Sequence, residues 1–122
     1  MIYVNRVYDK SRKDSGKIFL VDRLWPRGIK KEELENVIWI KQVAPSNDLR
    51  HWYHNNPEKW KEFEKSYHDE LDSNPENWKP ILEAAGRGDV TLLYSSKDEK
   101  HNNAVVLKNY LEEKLKTVAN KK

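Results

Sequence analysis

The segment Val90–Ser95, VTLLYS, constrains this chain more than any other. A short run that is apolar almost throughout, rich in β-branched and aromatic residues, reads as a strand buried on both faces. Such a strand needs partners on either side and cover above and below, so it belongs inside a sheet. Lys17–Leu24 (KIFLVDRL) contains a second run of this kind, Ile18-Phe19-Leu20-Val21. Met1–Tyr8 alternates loosely and predicts a further strand, and Val37–Val43 (VIWIKQV) predicts another, closed by Ala44-Pro45. Trp25-Pro26-Arg27-Gly28 closes the second strand, because Pro removes a donor and restricts the residue before it.

Between these runs lie helical stripes. Asn56-Pro57-Glu58 and Asn74-Pro75-Glu76 each offer Asn as a cap, Pro in the first turn and an acid beside it. The first is followed by Trp60, Phe63, Tyr67 and Leu71, and the second by Trp78, Ile81, Leu82 and Ala85; each set forms one face. Gly86 and Gly88 stop the second of these helices. Lys30–Glu35 predicts a short helix, and Ser46 is placed to cap another through Tyr53. A last helix runs from about His101 to Val118, with Ala104, Leu107, Leu111, Leu115 and Val118 as its stripe. Strands alternating with helices imply a parallel α/β sheet. The expectation is one domain over residues 1–118: about four mainly parallel strands flanked by helices in three layers, Rossmann/flavodoxin-like. Residues 119–122 are expected to be a disordered basic tail.

Composition tests whether such a core can form. The chain has 122 residues, with 37% hydrophobic and 35% charged, and its mean hydropathy is -1.02. That is poor in aliphatics, yet Trp, Tyr and Phe make up 11%. Each buried ring removes about 150–250 Å² from water, so rings substitute for missing aliphatics. Cysteine is absent, which excludes disulfides, thiolate metal sites and a cysteine nucleophile. No apolar run approaches the ~18 residues of a membrane span. The start, MIYVNRVYDK, has no leader pattern, so a cytoplasmic protein without membrane partners is expected.

The charge is uneven. Residues 6–31 hold nine Lys/Arg against three Asp, whereas residues 57–76 hold seven acids against three Lys. The pI is near 9.0. A basic N-terminal third suggests an anionic partner: a small phosphorylated ligand, a nucleotide or a nucleic acid.

In open α/β sheets, ligands bind beyond the carboxyl ends of the strands. Asp22, Arg23, Trp25, Arg27 and Gly28 follow the second strand. Ser46 and Arg50 follow the third, and Tyr94, Ser95, Asp98, His101 and Asn102 follow the fourth. Arg23, Arg27 and Arg50 are the leading anion binders, because a guanidinium presents a planar fork of donors. The competing reading pairs one of them with Asp22 or Asp98 to brace the loops. Asp98 and His101 are the candidate catalytic acid/base pair, against Asp98 as the cap of the last helix. Ser46 and Ser95 lack the G-x-S-x-G setting of a hydrolase nucleophile. His51 and His54, three apart, make a weak metal signal, and no metal site is assigned. No phosphate-binding glycine motif occurs. Trp25 and Trp52 sit at strand-end loops, open to stacking a base, whereas Trp39 within its strand is expected in the core.

The same segments resemble a known family. Arg6-Val7-Tyr8-Asp9, Val21-Asp22-Arg23-Leu24-Trp25-Pro26-Arg27-Gly28, Ala44-Pro45-Ser46, Leu49-Arg50 with Trp52, Thr91-Leu92-Leu93-Tyr94, and Asp98 with His101-Asn102 and Ala104 are similar to the YeaO-like proteins of domain of unknown function 488. The likeness runs in order from about residue 5 to 112. Lys10 stands where many relatives carry Pro. The resemblance implies a small single-domain α/β protein and no particular reaction. The functional expectation is a binder of, or an enzyme acting on, a small anionic ligand at the carboxyl edge of the sheet. The alternative is a nucleic-acid-associated protein without catalysis. The sequence leaves cofactor and oligomeric state open.

Overall fold

The computed structural model describes the backbone of residues 1–120 and the side chains of residues 1–117. Four strands form one parallel sheet: β1 (Ile2–Arg6), β2 (Lys17–Leu20), β3 (Val37–Trp39) and β4 (Val90–Tyr94), in the order β1-β4-β2-β3. Four helices complete it: α1 (Asn47–Asn55), α2 (Trp60–Ser73), α3 (Pro75–Arg87) and α4 (Asn103–Asn120). The four-stranded parallel α/β fold read from the sequence is present. The expected tail, 119–122, falls where the description ends: Lys121 and Lys122 lie outside the described residues, as does the side chain of Val118.

β4 is central, and every one of its residues is buried. Alternate residues point to opposite faces. Val90, Leu92 and Tyr94 join Ile2, Phe19 and Val21 on one face, against Phe63, Tyr67, Leu71, Trp78, Ile81, Leu107 and Leu111 of the helices. Leu93 and its neighbours Ile18, Leu20 and Val7 face the other way. That face is covered by Leu34, Trp25, Ile29 and Tyr8, which sit on loops and a 3-10 turn at Lys31–Leu34. The three layers are therefore unequal, with α-helices packed into one core cluster and a thin lid opposite.

Right-handed crossovers explain the split. The path β1 to β2 to β3 steps one way across the sheet, and β3 to β4 steps back. Connections of opposite direction must pass over opposite faces. The return carries α1, α2 and α3, and the outward steps carry only loops and the 3-10 turn Lys31–Leu34.

Several local expectations are corrected. β2 ends at Leu20 and β3 at Trp39, earlier than Leu24 and Val43. Ile40 leaves the extended region, and Lys41–Val43 close a 3-10 turn that delivers Ala44-Pro45 to the sheet edge. Asn56 does not start α2. It ends α1, its amide donating to the Trp52 carbonyl, and α2 begins at Trp60. Trp39 is 38% exposed rather than core, because β3 is an edge strand. Its Nε1 donates to the Asp22 carbonyl, and its ring meets Trp25 edge-on. α3 does start at Pro75, but the Asn74 side chain donates to the Glu70 carbonyl instead of capping it. Gly88 ends α3 with extended backbone, φ 171°, so no left-handed cap forms.

Candidate functional site

All four strands run in parallel, so their carboxyl ends leave one edge of the sheet together. A cleft of about 860 Å³ opens at that edge. Small-molecule sites commonly span ~300–1,000 Å³.

Five cationic side chains line the cleft, one or two from each contributing segment. Arg6 ends β1, Arg23 and Arg27 follow β2, Arg50 lies on α1, and Lys97 follows β4. Asp22 is the one carboxylate among the lining residues. None of the five cations forms an ion pair among the described residues; Arg12, Lys65, Lys116 and the amino terminus do, with carboxylates elsewhere. The bracing of these arginines by Asp22 or Asp98, a sequence-level alternative, does not occur.

Carbonyls orient two of them instead. Arg6 Nε donates to the Ser95 and Ser96 carbonyls at 3.3 and 2.9 Å, and its guanidinium lies 5.0 Å from the Tyr8 ring centroid. Arg23 Nε donates to the Pro45 carbonyl and Nη2 to the Ala44 carbonyl, both at 3.1 Å. Neutral acceptors hold a guanidinium in place and leave its charge uncompensated. Arg50 Nη1 donates to Asn47 Oδ1 at 2.9 Å, one turn back. Tyr8 Oη donates to the Arg27 carbonyl at 2.7 Å and fixes that loop. Gly28, at φ 82°, turns it, and Trp25 Nε1 donates to the Ile29 carbonyl.

Asp22 ties the sheet edge together. Its Oδ2 accepts from Ser95 N at 2.9 Å and Ser95 Oγ at 2.6 Å, and its Oδ1 accepts from Asn103 Nδ2 at 3.1 Å. The carboxylate thus replaces the β2–β4 ladder where the strands part, and anchors the start of α4. Asn102 caps α4, with Oδ1 accepting from Val105 N at 3.0 Å. The expected cap, Asp98, serves the turn before the helix. Its Oδ1 accepts from Lys100 N and His101 N, which hold its carboxyl below the ordinary value.

The remaining expected residues divide. His101 lines the cleft, 3.3 Å from Asp98 through Nδ1 and Oδ2, with its ring edge-on to Trp60. Asp98 itself is not a lining residue, and both side chains are about half exposed. Ser95 and Asn102 line the cleft. Ser46 does not. It caps α1 through Leu49 N, and its N and Oγ both donate to Glu70. Tyr94 is buried in the core, where burial pushes its phenol up. His51 is not a lining residue, whereas His54 is.

Sequence reasoning missed Arg6, Tyr8, Tyr53, His54, Lys97 and Asn103 as cleft residues. The strand-end rule was applied to three strands and left out the first, and β1 lies directly beside β4. Arg50, Tyr53 and His54 have helical spacing and share a face, a signal present in the sequence. Burial raises the Tyr53 phenol further, with Asp98 adding to the effect, so it stays a neutral donor.

The fold and cleft define a small α/β protein with an open parallel sheet and a cation-lined cleft at its carboxyl edge. The chain belongs to the family described as the "Inactive DUF488-N3 subclade", whose model matches residues 1–122. It is 39% identical over 110 residues to "Uncharacterized protein YeaO" of Escherichia coli (strain K12), covering 90% of this chain and 96% of that protein. It is 39% identical over 106 residues to "Uncharacterized protein Rv3073c" of Mycobacterium tuberculosis (strain ATCC 25618 / H37Rv), covering 87% and 89%. "Uncharacterized protein Mb3100c" of Mycobacterium bovis (strain ATCC BAA-935 / AF2122/97) matches to the same extent. The resemblance carried by the VDRLWPRG block therefore holds. No solved structure matches the chain. No helix among the described residues is long and apolar enough to cross a membrane.

Proposed function

We propose that this protein binds a small phosphorylated or otherwise anionic ligand at the carboxyl edge of its sheet, without turning it over. The observation that carries this reading is the set of unpaired cations: Arg6, Arg23, Arg27, Arg50 and Lys97 line one cleft, and none has a carboxylate partner among the described residues. Gathering like charges in a concave site costs energy that a bound anion offsets. A guanidinium held by carbonyls is also preorganised, so less ordering entropy is lost on binding. Concentration of the charge in a cleft, rather than along a stripe, favours a small ligand over a nucleic acid duplex.

The chemistry of the site argues against turnover. Ser95 Oγ donates to Asp22 and Ser46 Oγ to Glu70, and neither hydroxyl is bonded to a histidine. The acid/base candidates Asp98 and His101 form a half-exposed pair in which Asp98 is already committed to two backbone N–H groups. The family description, an inactive subclade, points the same way.

Calorimetric titration with inorganic phosphate tests the reading. Arg23→Ala, Arg27→Ala and Arg50→Ala are each expected to weaken one common site. A charge-assisted hydrogen bond contributes ~1.5–3 kcal/mol, which is about tenfold or more in affinity. Unchanged phosphate binding in all three variants would sink the shared site.

A further inference from the structure

The arginines are spread along the sheet edge rather than gathered at one point, and this bears on what the ligand carries. Arg6 is anchored on the carbonyls of Ser95 and Ser96, at the end of β4. Arg23 is anchored on those of Ala44 and Pro45, beyond the end of β3. Between β4 and β3 lies β2. Neighbouring strands stand ~4.8 Å apart, so the ends of β4 and β3 stand roughly 10 Å apart across the sheet. Arg50 extends the cationic row on the β3 side, from α1, and Lys97 and Arg27 lie along the same cleft. One phosphoryl group seated against Arg23 and Arg50 leaves Arg6 to a second one.

Charge leads to the same count. The cleft holds five cations against Asp22, whose oxygens are already taken by Ser95 and Asn103. A phosphate monoester carries ~−1.5 to −2 at neutral pH, which matches at most half of that excess. The cleft, at about 860 Å³, also has room for far more than one phosphoryl group. Its wall includes the rings of Tyr8, Trp25 and Tyr53, surfaces on which a flat heterocycle stacks.

Resting on the anion-binding reading above, we propose that the ligand is a diphosphate ester with a ring-bearing body, of the nucleoside diphosphate class. Its two phosphoryl groups bridge the Arg6 side and the Arg23–Arg50 side of the cleft.

The experiment compares four probes on the full chain by calorimetry: inorganic phosphate, pyrophosphate, AMP and ADP. Pyrophosphate is expected to bind at least about tenfold tighter than phosphate, and ADP than AMP. Arg6→Gln is expected to bring both ratios close to one while phosphate itself still binds. Arg27→Gln, at an exposed side chain without hydrogen bonds of its own among the described residues, provides a second variant that cannot act by unfolding the edge. It is expected to lower pyrophosphate affinity with an unchanged melting temperature. Equal affinity for phosphate and pyrophosphate overturns the two-group inference and leaves the single-anion reading standing. Ratios that survive in Arg6→Gln overturn it as well. Failure of all four probes to bind overturns both.

Discussion

Asp22 offers the sharpest test of how the strand-end edge is built. Its carboxylate accepts three hydrogen bonds, two from Ser95 and one from Asn103, and the side chain is only half-buried. A hydrogen bond to a charged acceptor contributes ~1.5–3 kcal/mol, but water replaces part of that at a half-exposed site and the three bonds do not add. Asp22→Ala is therefore expected to cost about 2–4 kcal/mol. Asp22→Asn keeps one carbonyl oxygen, enough for both Ser95 donors. Its new amide group must then face Asn103 Nδ2. Asn103 cannot turn away freely, because the same nitrogen also donates to the Val21 carbonyl at 3.0 Å. One lost bond and one donor–donor contact place Asp22→Asn at ~1–2 kcal/mol. For a domain of this size, each kcal/mol moves Tm by about 3–6 °C. Thermal melts should thus order the variants as wild type, Asn, Ala. Phosphate titration separates bracing from ligand contact: removing a negative charge from a cationic cleft should tighten phosphate binding in Asp22→Asn. An Asp22→Asn variant as stable as wild type would refute the bracing role. Weaker phosphate binding in a variant that stays folded would show that Asp22 serves the ligand directly.

Two further predictions concern single positions. Gly16 opens β2 at φ 69°, and an added Cβ would sit 1.8 Å from the Asp89 carbonyl oxygen. Gly16→Ala must therefore pay the left-handed penalty of ~1–2 kcal/mol and also shift backbone, so urea denaturation should show a loss above 2 kcal/mol; a loss under about 0.5 kcal/mol would contradict the geometry. Asn102→Ala removes the true cap of α4 and should cost ~1 kcal/mol, whereas Asp98→Ala should move Tm less. The Asp98 carboxyl is lowered below 3.8, first by the backbone N–H of His101 and then by that of Lys100. Its contribution is thus fully present above pH 3.8 and is lost as pH falls through the folded-state value. The Tm difference between wild type and Asp98→Ala should narrow in acid, and a difference that widens there would reverse the assignment.

The fold was legible where side-chain pattern and burial agree. VTLLYS reads as a buried strand because β4 is buried on both faces, and the stripes from Phe63 to Leu71 and from Trp78 to Ala85 are buried as spaced. Boundaries were less legible where the backbone, not the pattern, decides. VIWIKQV is apolar enough for one strand, yet Ile40 departs from extended geometry to bring Ala44-Pro45 against Arg23. Asn56-Pro57-Glu58 and Asn74-Pro75-Glu76 look alike, but only the second starts a helix. In the first, Asn56 answers to Trp52 behind it rather than to the turn ahead.

The candidate site was legible as an edge and not as a set of residues. Strand-end logic finds Arg23, Arg27 and Arg50 because parallel strands place all their carboxyl ends together. Applied to β1 as well, the same logic reaches Arg6, but its seat on the Ser95–Ser96 carbonyls depends on the β1–β4 pairing. Nor can it tell a paired arginine from an unpaired one. Asp22 stands next to Arg23 in the chain and looks like its partner, yet its oxygens are used on Ser95 and Asn103. That single allocation decides the character of the cleft. Had Asp22 turned to Arg23, that arginine would be a neutral brace. Because the carboxylate is spent on the scaffold and the guanidinium on two carbonyls, the positive charge stays open toward the cleft.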